Sequence, residues 1–156
     1  MIISLKSQLE AWKYERANTV RFLTQLSDED LKKQLPRKTY TTIFEQIEEM
    51  AKVQRALVEG IEKKTLDDVE WDVPVFTDKA DLIEKMAQFD AQMEKALEKC
   101  DGTEEVDWFG EKKNIHGHLA IMQNHEMMHL GQIIAFCNAL DIEIPQEIRE
   151  AMHLSC

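Results

Sequence analysis

IHGHLAIMQNHEMMHLGQIIAFCNAL, Ile115 to Leu140, is the stretch whose reading decides the fold. Its apolar residues recur in threes and fours, the period of a helix that turns one face inward. His118, Met122, His125, His129, Ile133, Phe136 and Leu140 share that half of the cylinder. At ~100° per residue, His125 and His129 lie only ~40° apart and one turn apart along the axis, so they can share one ligand. A buried imidazole needs a partner for each nitrogen. A metal ion satisfies one and a second hydrogen bond the other. One inward histidine reads as an ordinary hydrogen-bonded core residue; two at i and i+4 point to a metal-binding edge.

Working outward, the same periodicity predicts three more long helices. Ser4 to Gln25 carries Leu5, Leu9, Trp12, Ala17, Val20 and Leu23. LSDEDLKKQLP then reads as a capped helical turn, with Ser27 before Asp28 and Asp30, closed by Pro36. A second helix starts after Thr41 or Thr42, carries Ile43, Ile47, Met50, Gln54, Leu57 and Ile61, and ends near Lys64. Residues 65–77, TLDDVEWDVPVFT, have no helical stripe and make a long connection. The third helix spans about Asp78 to Cys100 and stops at Asp101-Gly102. DGTEEVDWFGEKKN reads as a loop, and a short terminal helix follows Pro145. No alternating run is bounded by the usual hairpin dipeptides, so strands are not expected. The prediction is an all-α four-helix bundle with long inter-helix loops, which permit parallel as well as antiparallel neighbours.

A chain of 156 residues, 44% hydrophobic and 31% charged, is long enough for one core, so residues 1–156 are expected to form one domain. Its 30 acidic against 19 basic residues give a net charge of -11, which repels phosphate backbones and anionic membranes. Nucleic acid is therefore not expected as a partner. No apolar run reaches the ~20 residues of a membrane span, and the start is too polar for a signal-peptide core, so a soluble cytoplasmic protein is expected. Cys100, Cys137 and Cys156 form no CxxC pair and read as reduced thiols.

Taken literally, His125 to His129 is also HExxH, in which Glu126 would be the general base of a zinc protease. The extended motif requires glycine and histidine where this chain has Gln132 and Ala135. A ferritin-like di-iron site needs two ExxH helices, and only Glu126 to His129 fits. His118 lies two turns from His125, about 10 Å along the axis, too far for the same ion. It reads as packing or as support for a ligand, His116 and His153 as solvated, Cys137 as a core thiol, and Trp12, Trp71 and Trp108 as core or interface. Gln132 is a candidate to support a ligand imidazole.

WFGEKKNIHGHLAIMQNHEMMHLGQIIAFCNALDIEIP resembles the last helix and tail of the DinB/YfiT-like superfamily, through Trp108, Gly110, His125, Glu126, His129, Gly131, Gln132 and Pro145. TIFEQIEEMAKVQRALVEGI is similar to that family's second helix. The resemblance implies an up-down-down-up bundle, frequently a homodimer, holding one divalent ion (zinc, nickel, manganese or iron) on three histidines. His125 and His129 match two of them. At the third position, on the second helix, this chain has Glu49. Either a carboxylate replaces the imidazole, giving a two-histidine, one-glutamate set, or the site has decayed and Glu49 belongs to a solvated acidic face with Glu45 and Glu48. Met50, a softer candidate ligand, sits mid-stripe and reads as core.

Family members with assigned activities include thiol S-transferases that use low-molecular-weight thiols and a mycothiol-dependent isomerase. The resemblance thus implies a metal-dependent thiol S-transferase or hydrolase that activates a thiol or water against a small electrophile, with Glu126 a weak candidate for proton acceptor. The alternative is a non-catalytic dimeric bundle with a degenerate metal site, used for small-molecule binding or protein interaction.

Overall fold

The computed structural model describes residues 4–154, so Cys156 lies outside the described residues. Four long helices dominate: α1 (Leu5–Gln25), α3 (Ile43–Lys63), α4 (Lys79–Leu97) and α5 (Ile115–Ala139). Two short ones, α2 (Asp28–Lys32) and α6 (Gln146–Ala151), follow the first and the last of them. Helix starts are set by local chemistry. Ser4, Ser27, Thr42, Asp78 and Asn114 each accept a backbone N–H of their own helix's first turn, satisfying a donor that has no partner inside the helix.

Side-chain contacts give the helix directions. Gln8 meets His116 while Thr19 meets Glu126, so α1 and α5 run parallel. Lys13 pairs with Glu94 at 2.8 Å and Lys79 reaches the carbonyl of Leu26 at 3.0 Å, so α1 and α4 run antiparallel. Gln46 meets His129 and Glu49 meets His125, so α3 and α5 run antiparallel as well. The bundle is therefore up-down-down-up, and the connection between the parallel helices α3 and α4 has to return the chain along the bundle's length. That connection is pinned on the way: the Leu66 N–H donates to the Asp107 carbonyl and the Asp107 N–H to the Lys64 carbonyl, both at 3.0 Å.

The segment 101–114, expected as a loop, contains an antiparallel hairpin of β1 (Glu105–Trp108) and β2 (Glu111–Asn114). Its two-residue turn is Phe109-Gly110, both at positive φ (51° and 84°), the twist that a tight hairpin needs. Phenylalanine is uncommon there, which is why the pattern did not read as a turn. Among the described residues no helix is long and apolar enough to cross a membrane.

The interior is two apolar clusters rather than one. Phe22, Leu23, Ile47, Met86, Ile133 and Phe136 anchor the first, and Trp12, Leu57, Ile61, Met93, Leu119 and Met122 the second. Between them lies a polar layer to which every long helix contributes. Arg16 of α1, 3% exposed, places Nη2 at 3.0 Å from Glu126 Oε2 of α5 and donates to Gln54 Oε1 of α3 at 2.8 Å. Gln54 donates to Asp90 of α4 at 2.7 Å, and the Thr19 hydroxyl donates to the other oxygen of Glu126. The guanidinium also lies over the Trp12 ring, 5.1 Å from its centroid.

Removing one member of a buried pair leaves the other charge without compensation, at a cost of about 3–5 kcal/mol. Glu126→Ala is therefore expected to lower the free energy of unfolding by that much, read as a lower urea midpoint at an unchanged m-value. A loss of about 1 kcal/mol or less, the range of exposed ion pairs, would show that the layer does not hold the helices.

Candidate metal centre

The centre is built from two turns of α3 and two of α5. On α3 the register is set at its start. The Thr42 hydroxyl accepts the Glu45 N–H at 3.1 Å and the Glu45 carboxylate accepts the Thr42 N–H at 3.2 Å, a reciprocal cap. Glu45 therefore closes the helix rather than joining a solvated face. Gln46 and Glu49, three residues apart, follow on the side that faces α5. On α5, His125 and His129 present their Nε2 atoms to the same point.

The Nε2 atom of His129 lies 2.7 Å, and that of His125 3.0 Å, from Glu49 Oε2. The two Nε2 atoms are 3.2 Å apart, and the ring centroids 4.5 Å. His129 is 3% exposed, while the side chains of His125 and Glu49 keep 21% and 18% of their surface, so the centre is buried on one side and open on the other. Burial pushes the Glu49 carboxyl up, but the hydrogen bonds and charges of His125 and His129 outweigh it and bring the pKa down to about 2.

The far side of His129 decides what its Nε2 can do. Nδ1 is hydrogen-bonded to Gln46 Oε1, and Gln46 Nε2 donates to the Tyr40 carbonyl at 3.0 Å. An amide oxygen only accepts, so Nδ1 carries a proton, and a ring with that one proton presents its lone pair at Nε2. A lone pair 2.7 Å from a carboxylate oxygen is repelled unless a proton or a cation lies between them. Glu49 Oε2, buried, has no hydrogen bond of good geometry despite both close nitrogens. Ligand atoms about 2.0–2.1 Å from a tetrahedral zinc stand about 3.4 Å apart. At 2.7, 3.0 and 3.2 Å, the three donors need to open by less than about 1 Å to reach that spacing. Glu49, His125 and His129 thus fit a divalent ion, and among the described residues they form such a cluster.

The open side faces a cavity of about 490 Å³ reached from Glu49 and walled by Tyr40, Lys52, Val53, Trp71, Asp72 and Glu48. Burial raises the pKa of Glu48 against the opposing charge of Lys52, and raises that of Tyr40 together with the charges of Glu49 and Asp72. Trp71 leans on Phe109 of the hairpin turn at 6.0 Å, which joins the hairpin to the cavity rim.

Other expected residues fall elsewhere. Glu126, the weak candidate for proton acceptor, is 2% exposed with both oxygens turned to α1, on Thr19 and Arg16, so it is neither a base in the cavity nor an exposed residue. One residue beyond His125 is ~100° further round the helix, which is the side of α1 and not of α3. Gln132 does not support a ligand imidazole among the described contacts; Gln46 does, and a glutamine one turn before Glu49 was the available signal. His118 is a packed residue against Trp108 at 5.2 Å, and His116 is held by Gln8 rather than solvated. Met50 and Cys137 are core residues, and burial pushes the Cys137 thiol up to about 11.

The fold has counterparts. A DinB-like protein from Bacillus cereus ATCC 10987 superposes with a TM-score of 0.74 at 21% identity, over 93% of this chain and 98% of that one. A DinB-like protein from Bacillus subtilis gives 0.70 at 18%, over 88% and 94%. At these identities the likeness is one of fold. No curated protein matches the sequence. The family model of the DinB superfamily matches residues 11–133, which take in α3 and α4, most of α1 and α5, and every residue of the Glu/His/His cluster. With sequence model, helix order and candidate metal site in agreement, the chain belongs to the DinB superfamily.

Proposed function

We propose that this protein is a metal-dependent enzyme in which Glu49, His125 and His129 hold one divalent ion and a small thiol or water is activated against a small electrophile. The observation that carries the reading is the convergence of Glu49 Oε2 and the two Nε2 atoms on one point, each within 3.2 Å of the others. Three protein ligands leave coordination positions open, and the ion supplies Lewis acidity that lowers the pKa of a thiol or water there.

The chain's own residues do the rest. Glu49 lines the cavity, and the partly exposed His125 leaves the centre open on one side. Tyr40, a phenol protonated at neutral pH, offers a hydrogen bond to a departing group. In the transfer reaction the thiolate sulfur donates a lone pair to the electrophilic carbon as the leaving group departs with the bonding pair, so no oxidant is required. Four carboxylates and one lysine line the cavity, which favours substrates whose far end is neutral or cationic. Cys100 and Cys137 are free thiols, in keeping with residence in a reducing cytoplasm. Met127 and Met128, exposed side by side on α5, support assembly as a homodimer through that face.

Untagged protein grown with zinc, manganese, nickel and iron is expected to carry near-stoichiometric metal by elemental analysis, and both Glu49→Ala and His129→Ala to lose it. Metal-free native protein would instead favour the non-catalytic bundle, consistent with a glutamate at the family's third histidine position. At free metal about 100-fold above Kd the ion adds about 2.7 kcal/mol, roughly 5–10 °C in Tm for a domain of this size, and a chelator should remove it. Loaded protein should accelerate the reaction of cysteamine with a chromogenic aryl halide, and cysteamine should bind more tightly than 3-mercaptopropionate in a tryptophan-fluorescence titration. The reverse order would rule out the charge preference. Sedimentation equilibrium should give twice the chain mass, and Met128→Glu a single chain mass.

A further inference from the structure

We propose that Gln46, oriented by the backbone carbonyl of Tyr40, is the positioning residue that fixes the tautomer of His129 and so sets the affinity of the centre. The part that concerns affinity rests on the metal reading above. The part that concerns the tautomer does not.

Gln46 is 0% exposed, so its amide has no water to fall back on, and each end must find the correct partner in the protein. One end meets His129 Nδ1 and the other the Tyr40 carbonyl at 3.0 Å. A carbonyl can only accept. The amide nitrogen must therefore face Tyr40, the amide oxygen must face the imidazole, and a flipped amide would set two oxygens against each other. The proton of His129 is thereby assigned to Nδ1 and the lone pair to Nε2, the atom aimed at Glu49 and His125.

Tyr40 is itself held for this purpose. Its φ of 49° lies in the left-handed region, which residues with a side chain seldom occupy and which persists only where surroundings impose it. The following residues supply the restraint: the Thr41 hydroxyl donates to the Glu45 carboxylate at 2.9 Å and the Thr42 N–H to the same oxygen at 3.2 Å. The Tyr40 ring closes the arrangement, standing edge-on to His129 with centroids 6.2 Å apart and planes at 85°. The segment Tyr40 to Gln46 thus forms one relay, from the cap of α3 through a strained carbonyl and a buried amide to one imidazole. Among the described contacts nothing equivalent reaches Nδ1 of His125, so the two histidines are not equivalent: His129 is locked and His125 is not.

The tautomer is read in metal-free Glu49→Ala protein, where no carboxylate competes for the ring, by long-range ¹H–¹⁵N correlation above the imidazole titration. His129 is expected to show Nδ1–H and a bare Nε2, and adding Gln46→Leu to that background should abolish the preference. Zinc affinity is read separately, by competition with a chromophoric chelator in the otherwise native chain. Gln46→Leu should weaken it by about 10–100-fold, the usual effect of losing such a partner. Gln46→Glu should also fall short of the native value, because its second oxygen would face the Tyr40 carbonyl, oxygen against oxygen, in a site closed to water. A bare Nδ1 on His129, or a Gln46→Leu chain with native zinc affinity, would overturn the proposal. Should Gln46→Leu fail to fold, the Glu49→Ala spectrum and the Gln46→Glu affinity decide it. Native protein that binds no zinc would defeat the metal reading alone, with the tautomer still judged by the spectrum.

Discussion

A guanidinium that cannot reach water governs the architecture. Arg16 sits at mid-height in the bundle, and its charge is tolerable there only because Glu126, Gln54 and, at 3.6 Å, Asp90 surround it from the other three long helices. Apolar packing alone would leave each helix free to rotate by a fraction of a turn, since one aliphatic neighbour serves nearly as well as another. Hydrogen bonds with defined donors and acceptors do not permit that freedom. With Glu126 pinned to α1, α5 has one rotational setting, and in that setting the histidines on either side of Glu126 in sequence face α3. The polar layer that divides the core therefore aims the histidine edge at α3.

The glutamate at position 49 gives the candidate centre an anionic donor beside its two imidazoles. Three neutral imidazoles around a divalent ion leave its full charge facing the cavity, whereas one carboxylate halves it. The hard oxygen donor also moves the preference away from soft ions and toward zinc, manganese and ferrous iron. The acidic cavity wall acts in the same direction, because a molecule bringing a further negative charge would meet Glu48 and Asp72 beside Glu49. A substrate with a protonated amine at its far end meets the same residues as partners.

Periodicity made the helices legible, because a stripe of apolar residues survives in sequence without knowledge of its neighbour, and the histidine pair was legible for the same reason. Glu49 could be located only by register against a resemblance. The hairpin was missed because Phe109 at positive φ is tolerated by packing against Trp71 and Trp108 rather than by intrinsic preference. Arg16, Thr19 and Asp90 were missed because each, taken alone, looks like a polar residue that interrupts a stripe. Only when four stripes are aligned at one height do these residues, with Gln54 and Glu126, become a layer. Gln46 was overlooked in favour of Gln132, which shares a helix with the histidines, although the support for a ligand comes more readily from the helix opposite.

The HExxH pattern shows how far spacing can be trusted. In any helix it places two histidines on one face and a glutamate ~100° away. Whether that glutamate is a base depends on what packs against its side of the helix. In a shallow cleft the side is open and the carboxylate reaches water; in this bundle the side is α1, and the carboxylate is committed to Thr19 and Arg16. Identical spacing thus yields a catalytic acid–base in one context and a structural counter-ion in another. The difference comes from neighbours far away in sequence. The titratable groups that do face the cavity, Tyr40, Glu48 and Asp72 among them, come from α3 and from the segments before and after it rather than from the helix that carries the motif.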